Sequence, residues 1–209
     1  APVISVVYDN MDAKNENHYK ASRTATITIT ERNFEQSRLT IRLTATDHGE
    51  AIKAPEISAW SSSGDTHTAT IRYDADALYS FDISYRDKAG NAADRYRGDT
   101  FYVDQTLPKV TLSGIADESA NSEKGDIGFV LTATDTNLDE FTPVITAVLM
   151  EDGQIVKREL AVGESKPIED GMEFVVKNLP DDGIYRITCT VTDKAGNAFE
   201  EITLYRKDG

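Results

Sequence analysis

Apolar and polar residues alternate along much of the chain, and the alternation is clearest in two similar stretches, 79–91 and 185–197. Every second residue at the start of each stretch is apolar: Tyr79, Phe81, Ile83 and Tyr85 in the first, and Tyr185, Ile187, Cys189 and Val191 in the second. A period of two places these side chains on one face of a β-strand. The pattern therefore predicts two strands that each bury one face.

Both predicted strands run into the same five residues, Asp-Lys-Ala-Gly-Asn, at 87–91 and 193–197. This sequence suits a hairpin turn in which Asp accepts a turn amide and Gly closes the loop. We therefore expect Gly90 and Gly196 at positive φ. Each strand also opens on a Tyr that follows Asp-Ala-Leu or Asp-Gly-Ile, which resembles the tyrosine corner of immunoglobulin-like sandwiches. Tyr79 and Tyr185 are therefore predicted to be buried and to bond the backbone of the preceding corner.

The recurrence of these features sets the domain count. The two Asp-Lys-Ala-Gly-Asn segments begin at positions 87 and 193, which are 106 apart, and the same shift aligns Pro2 with Pro108 and Ile4 with Val110. The repeating unit is therefore a whole domain, and we expect one domain at 1–104 and a second at 105–209. The joint at 104–108 has none of the Gly and Ser residues of a flexible tether, so we expect limited hinge freedom.

Other parts of the chain are also made of short alternating segments with turn residues about every ten positions. The polar run 9–20 is expected to be a long loop, and the segment 50–64 is the least regular part of the first half. Around Phe174 and Val176 the spacing to the next turn slips by one, which predicts a bulge or a different turn. The sequence therefore predicts an all-β chain of two tandem immunoglobulin-like β-sandwich domains, antiparallel with Greek-key connections.

Four features of the chain together resemble the bacterial immunoglobulin-like repeats of large surface and adhesin proteins. They are the joint sequence Val-Asp-Gln-Thr-Leu-Pro, the polar turn after the second predicted strand, the tyrosine corner and the Asp-Lys-Ala-Gly-Asn hairpin. The resemblance covers nearly the whole chain. It implies an extracellular protein, attached to the cell wall or secreted, in which neighbouring immunoglobulin-like domains of a longer chain form a stalk. Some such repeats bind ligands, so a host or matrix glycan or protein is an expected partner.

The composition of the chain excludes some classes of binding partner. The formal net charge of −14 and the isoelectric point near 4.6 argue against nucleic acids and anionic membranes, which both bind basic surfaces. No apolar run has the length of a membrane span. Cys189 is the only cysteine, so no disulfide can form within the chain, and its inward position predicts a buried, inert thiol.

A search for catalytic motifs gives no candidate. The three histidines, His18, His48 and His67, lack neighbours at metal-ligand spacing, and the sequence has no phosphate loop or nucleophile elbow. Acidic residues are so frequent in the loops that any two of them could be paired, which makes paired carboxylates uninformative. We therefore expect no active site in this chain and no resident cofactor.

Trp60 has two interpretations. In a serine-rich stretch, it could offer a flat platform for a sugar ring, or it could cap the edge of the sandwich core. The first interpretation leads to an alternative function, a glycan- or protein-binding accessory module of a secreted carbohydrate-active enzyme. The leading hypothesis remains a non-enzymatic stalk or spacer.

Calcium at the domain joint is the one metal site that the predicted strand order suggests. Asp104 ends the first domain, and the loops expected at the near end of the second domain carry Asp135, Asn137 and Asp193. Carboxylate and amide oxygens are the ligands that Ca²⁺ prefers. The same acids also have local turn roles, so a joint held by packing and Pro108 alone is the alternative.

Overall fold

The computed structural model describes residues 1–98, 100–115, 119–121, 127–135, 140–151, 154–160, 162–179 and 182–207. The chain divides into two compact units, Ala1–Gln105 and Thr106–Gly209. Each unit contains two sheets, antiparallel except for one short parallel strand pair, and the all-β sandwich fold predicted from the alternation is confirmed. Among the described residues, no helix has the length and apolar character needed to cross a membrane.

The first unit contains ten strands and one 3-10 helix, Gln36–Arg38, in its described part. In chain order the strands are β1 (Val3–Tyr8), β2 (His18–Tyr19), β3 (Arg23–Thr30), β4 (Leu39–Asp47), β5 (Glu50–Ala51), β6 (Ser61–Ser63), β7 (Thr66–Tyr73), β8 (Ala77–Tyr85), β9 (Tyr96–Arg97) and β10 (Phe101–Val103). One sheet has the order β1-β3-β7-β6. The other has the order β2-β10-β8-β4-β5, with β9 also paired to β8.

The described part of the second unit repeats this arrangement. Its strands are β11 (Lys109–Ser113), β12 (Ser119–Asn121), β13 (Ile127–Thr134), β14 (Phe141–Glu151), β15 (Gln154–Glu159), β16 (Val162–Ile168), β17 (Gly171–Leu179), β18 (Gly183–Asp193) and β19 (Ala198–Lys207). The two sheets have the orders β11-β13-β17-β16 and β12-β19-β18-β14-β15. In both units the order is that of an immunoglobulin-like sandwich, with strands A, B, E and D in one sheet and G, F and C in the other.

A short strand lies where the sequence predicts only a loop. In the polar run 9–20, β2 pairs in parallel with β10, and the N–H groups of Tyr102 and Asp104 donate to the carbonyls of Asn17 and Tyr19, each at 2.9 Å. A strand of two residues is too short to show an alternation, so the pattern along the sequence cannot reveal it. In the second unit, β12 pairs in parallel with β19 in the same way.

The inward positions of the strands form one core in each unit. The first core includes the fully buried Ile27, Ile29, Ile71 and Ile83, and the second includes Leu131, Ile145, Leu149 and Tyr185. Because no disulfide ties the sheets, these cores and the strand hydrogen bonds hold each sandwich together. Cys189 is fully buried in the second core. Burial, with a contribution from Glu201, raises the pKa of its thiol to about 12.

The expected irregularity in β17, which contains Phe174 and Val176, is present. The register of β13 with β17 passes from Ile127 opposite Leu179 to Phe129 opposite Val176, so β17 has one residue more than its partner over this step. This is a β-bulge, in which the extra residue lies on β17. The bulge accounts for the slip of one position between the two halves of the sequence.

Candidate functional site

The Asp-Lys-Ala-Gly-Asn hairpins have the same geometry in both units. The Asp87 carboxylate accepts the backbone N–H and the side-chain amide of Asn91, each at 2.8 Å, and Asp193 accepts the same two groups of Asn197 at 2.9 Å. Gly90 and Gly196 have φ of 90° and 87°, which is the left-handed region that favours glycine. Both carboxylates therefore stabilise the turns that follow strands β8 and β18.

The pH dependence of the first hairpin gives a test of the carboxylate's role. The hydrogen bond from Asn91 is the main cause that lowers the pKa of Asp87 below its ordinary value. A carboxyl group with a lower pKa in the folded state stabilises the fold above its unfolded pKa of about 3.9, and this stabilisation is lost as the pH falls through the folded pKa. We expect Asp87→Asn to lower the melting temperature at pH 7, and the difference from the unmodified chain to shrink below about pH 4.

Asp94→Asn is the matched control for this experiment because Asp94 is an exposed carboxylate close to the same hairpin. It is expected to leave the melting temperature nearly unchanged at pH 7. A loss in Asp87→Asn that stays constant from pH 7 to pH 3 would contradict an ionic role for Asp87.

The tyrosine corner of the first unit is formed by Tyr79 on β8. Its ring is buried, and its hydroxyl donates to the carbonyl oxygen of Ala75 at 2.6 Å, in the corner before the strand. Burial raises the pKa of Tyr79 and nearby Asp76 adds to the increase, so the phenol stays protonated as a donor. Tyr185 occupies the equivalent position on β18 and is fully buried.

Removal of this hydroxyl should weaken the first unit. We expect Tyr79→Phe to lower its free energy of unfolding by about 0.5–1.5 kcal/mol, which is the net contribution of one hydrogen bond. Urea denaturation followed by the fluorescence of Trp60 measures the change. Tyr102→Phe serves as a control at a partly exposed tyrosine on β10, and an equal loss in both variants would argue against a special role for the corner.

Two buried carboxylates lie close together in the second unit. Asp135 follows β13, Asp193 ends β18, and an oxygen of each lies within 4.8 Å of an oxygen of the other. The backbone N–H of Asp135 donates to the carbonyl of Asp170 at 2.9 Å, which fixes the loop after β13. Two carboxylates at this distance repel each other when both are ionised, and a shared cation relieves the repulsion.

The predicted calcium site has two further residues, Asp104 and Asn137. Asp104 follows β10 in the first unit and is buried there, with its N–H bonded to the carbonyl of Tyr19. Asn137 lies outside the described residues. The participation of both residues in a metal site therefore stays a prediction.

Trp60 is partly buried against the core of the first unit. Its ring centre lies 5.1 Å from that of Phe34, and Phe34 in turn stacks on His67 with 4.4 Å between the ring centres. Part of the indole surface is thus used in packing, which agrees with a position at the edge of the core. Its role as a platform for a sugar stays a prediction.

Ser62 and His67 form a hydrogen-bonded pair between β6 and β7 that the sequence analysis did not single out. The Nε2 atom of His67 lies 2.8 Å from the carbonyl oxygen of Glu31, which can only accept, so Nε2 carries the proton and Nδ1 accepts the Ser62 hydroxyl at 2.7 Å. This is the order of a nucleophile and its base. His67 is buried, however, and no carboxylate of the described residues orients it, so we assign the hydrogen bond to the pairing of the two strands.

Arg23 is a candidate binding residue that the sequence did not lead us to predict. It begins β3 in phase with the buried Ala25, Ile27 and Ile29, and it lines a groove of about 710 Å³ in the first unit. A charged residue in phase with the apolar positions of a strand was the available signal.

No protein-family model matches the chain, and no curated protein matches it. Among solved structures, the chain is similar to the fibronectin(III)-like modules of Clostridium thermocellum CbhA, with 14% sequence identity, a TM-score of 0.36, and coverage of 98% of this chain and 94% of that chain. A TM-score at this level supports no argument. The fold class, two immunoglobulin-like β-sandwiches, therefore rests on the strand order of the chain itself.

Proposed function

We propose that the chain is a non-enzymatic structural or adhesion module, whose tandem immunoglobulin-like repeats act as a stalk or spacer in a bacterial cell-surface or secreted protein. The observation that supports this proposal most strongly is the repetition of one complete sandwich topology in two consecutive units. Between β10 and β11 only residues 104–108 connect the units. The partners under this proposal are neighbouring immunoglobulin-like domains of a longer chain.

The parallel strand pairs suit a module that bears load. In the first unit β2 lies near the amino end and β10 near the carboxyl end, and the two run in parallel. A pull on both ends of the unit therefore acts along these strands and shears their hydrogen bonds together. The second unit has the same arrangement in β12 and β19.

Single-molecule stretching of the chain tests the spacer role. We expect two separate force peaks, each followed by a gain in length of about 300 Å, because each unit of roughly a hundred residues extends to roughly 3.4 Å per residue, less the length that the folded unit already spans. Extension of the folded chain without force peaks would contradict a role in bearing load.

Calcium binding is the second part of the proposal. The close pair Asp135 and Asp193 supports it, and the position of Asp104 next to the unit boundary motivates its inclusion as a third ligand. Ca²⁺ requires six to eight oxygen ligands, so backbone carbonyls and water must complete the shell. A bound ion would stabilise the folded second unit by mass action.

Thermal melting with and without calcium checks this prediction. A Ca²⁺ concentration of about 100 times the dissociation constant is expected to add about 2.7 kcal/mol to the free energy of unfolding, and a chelator should reverse the gain. Asp135→Asn should abolish the response. Glu31→Gln is the matched control, because Glu31 follows β3 at the equivalent position of the first unit, and it should preserve the response. A melting temperature that changes with neither calcium nor chelator would exclude a bound calcium ion.

A glycan- or protein-binding accessory module of a secreted carbohydrate-active enzyme is the second candidate function. Its support is Trp60, which lies at the edge of the core and within the irregular segment 50–64. A glycan array distinguishes the two candidates. Saturable binding that is lost in Trp60→Ala would favour the accessory module over a pure spacer.

A further inference from the structure

Arg23 is a buried cation surrounded by aromatic rings. The residue is only 5% exposed. The central carbon of its guanidinium lies 3.9 Å from the ring centres of both Tyr8 and Tyr19, and 4.4 Å from that of Phe101. The rings attract the cation through their negative faces and hold the guanidinium in one place. Its position is therefore fixed before any ligand arrives.

No described carboxylate compensates this charge. The Nε atom of Arg23 donates to the carbonyl of Asn10 at 3.0 Å, and Nη2 lies 3.9 Å from the sulfur of Met11, but neither partner carries a negative charge. Burial raises the pKa of Tyr8 to about 12 and that of Tyr73 as well, so these nearby phenols remain neutral. A buried cation is costly without an anion. The site therefore favours a negatively charged ligand.

The groove beside Arg23 has the size of a small-molecule site. Its volume of about 710 Å³ lies within the range of about 300–1,000 Å³ that such sites occupy. The rings of Tyr8, Tyr96 and Phe101 form apolar walls. Polar groups of Asn17 and Thr100 lie on the same lining, so one ligand can contact apolar and polar surfaces together.

The lining also indicates the shape of the ligand. The planar guanidinium suits a carboxylate, which accepts two parallel hydrogen bonds from it. The side-chain amide of Asn17 donates to the carbonyl of Thr100 at 3.1 Å, which leaves its oxygen to accept from a hydroxyl of a ligand. Aromatic rings pack against the apolar face of a sugar. The exposed Glu16 on the lining repels anions, and it repels a doubly charged phosphate more than a single carboxylate.

We propose that this groove binds the carboxylate of an acidic sugar, with Arg23 as the anion-binding residue and the aromatic walls as the surface for the sugar ring. The site belongs to the first unit alone and does not depend on the spacer role. It gives the chain a binding specificity for polysaccharides that contain uronic acids.

Nuclear magnetic resonance titration of the whole chain tests the proposal. Galacturonate is the probe, and galactose is its matched neutral counterpart. At about 0.15 M salt, galacturonate should shift the Nε–H signal of Arg23 and the amide signals of Asn17 and Thr100 saturably, whereas galactose should not. Absence of saturable shifts, or equal shifts with both sugars, would overturn the proposal. Benzoate that binds as tightly as galacturonate would overturn the assignment to a sugar.

Two variants examine the residues separately. Arg23→Lys keeps the charge but loses the planar pair of donors, and it should weaken galacturonate binding by about tenfold or more. Glu16→Gln removes the repelling charge and should strengthen binding a few-fold. Because Glu16 is exposed, this variant tests the site even if Arg23→Lys fails to fold. Unchanged or weaker binding in Glu16→Gln would overturn the proposal. Arg72→Lys, on an exposed arginine that does not line the groove, is the control and should bind as the unmodified chain does.

Discussion

Gly171→Ala is expected to unfold the second unit or to lower its free energy of unfolding by about 3 kcal/mol or more. Gly171 begins β17 and pairs with Thr134 on β13. A Cβ atom at this position would lie 2.1 Å from the carbonyl oxygen of Ala133 and 2.9 Å from the Cα of Thr134. Both neighbours are backbone atoms of a paired strand, so the clash can be relieved only if the strands move apart.

The single cysteine makes the second unit measurable by itself. Cys189 is fully buried in its core, so a thiol reagent reacts only when that unit opens. Labelling across a urea gradient should show a lower midpoint in Gly171→Ala than in the unmodified chain. Gly64→Ala, in the first unit, is the control for the loss of a glycine, because open space surrounds Gly64 and only its φ of +60° causes strain. It should leave the labelling midpoint of Cys189 unchanged. If Cys189 is labelled at the same urea midpoint in Gly171→Ala as in the unmodified chain, the close approach of β17 to β13 is wrong.

Ile27→Ala is expected to lower the free energy of unfolding of the first unit by about 2–5 kcal/mol, because it leaves a cavity in a packed core. Ile27 lies at the centre of β3 and is fully buried, between the exposed Thr26 and the partly exposed Thr28. Fluorescence of the only tryptophan, Trp60, reports this unit during urea denaturation. A fall in the midpoint with an unchanged slope identifies a loss of stability in a native fold.

Thr26→Ala is the matched control for Ile27→Ala, one position away and on the opposite face. It is expected to cost less than about 1 kcal/mol, because it removes only an outward side chain with a preference for strands. Comparable losses in the two variants would contradict the inward and outward faces of β3.

The longer strands and their faces could be predicted from the sequence because the alternation that defines them is encoded locally. The alternation at 79–85 and 185–191 predicts which side chains enter the core, and all eight apolar members are buried. The hairpin at 87–91 is equally local, because Asp87, Gly90 and Asn91 interact within five residues of one another. The strand order followed from the repeat of these signals and from the tyrosine corner.

Features formed by distant parts of the chain could not be predicted in this way. The rings around Arg23 come from β1, β2 and β10, and their convergence depends on the closed sandwich. The strand β2 exists because β10 offers its edge, and its two residues have no pattern of their own. The pair Ser62 and His67 likewise depends on the register of β6 against β7.

The pairing of β2 with β10 also bears on how the chain is made. His18 lies opposite Tyr102 and Tyr19 opposite Val103. Residues near the amino end of the first unit therefore cannot form their strand hydrogen bonds until the last residues of that unit have been synthesised. The ribosome adds roughly 5–20 residues per second, so β2 remains unpaired for several seconds while the intervening strands are synthesised. The first unit can therefore complete its second sheet only after β10 leaves the ribosomal tunnel. By then, the tunnel already contains the beginning of the second unit, and a pause in translation after β10 would favour separate folding of the two similar sandwiches.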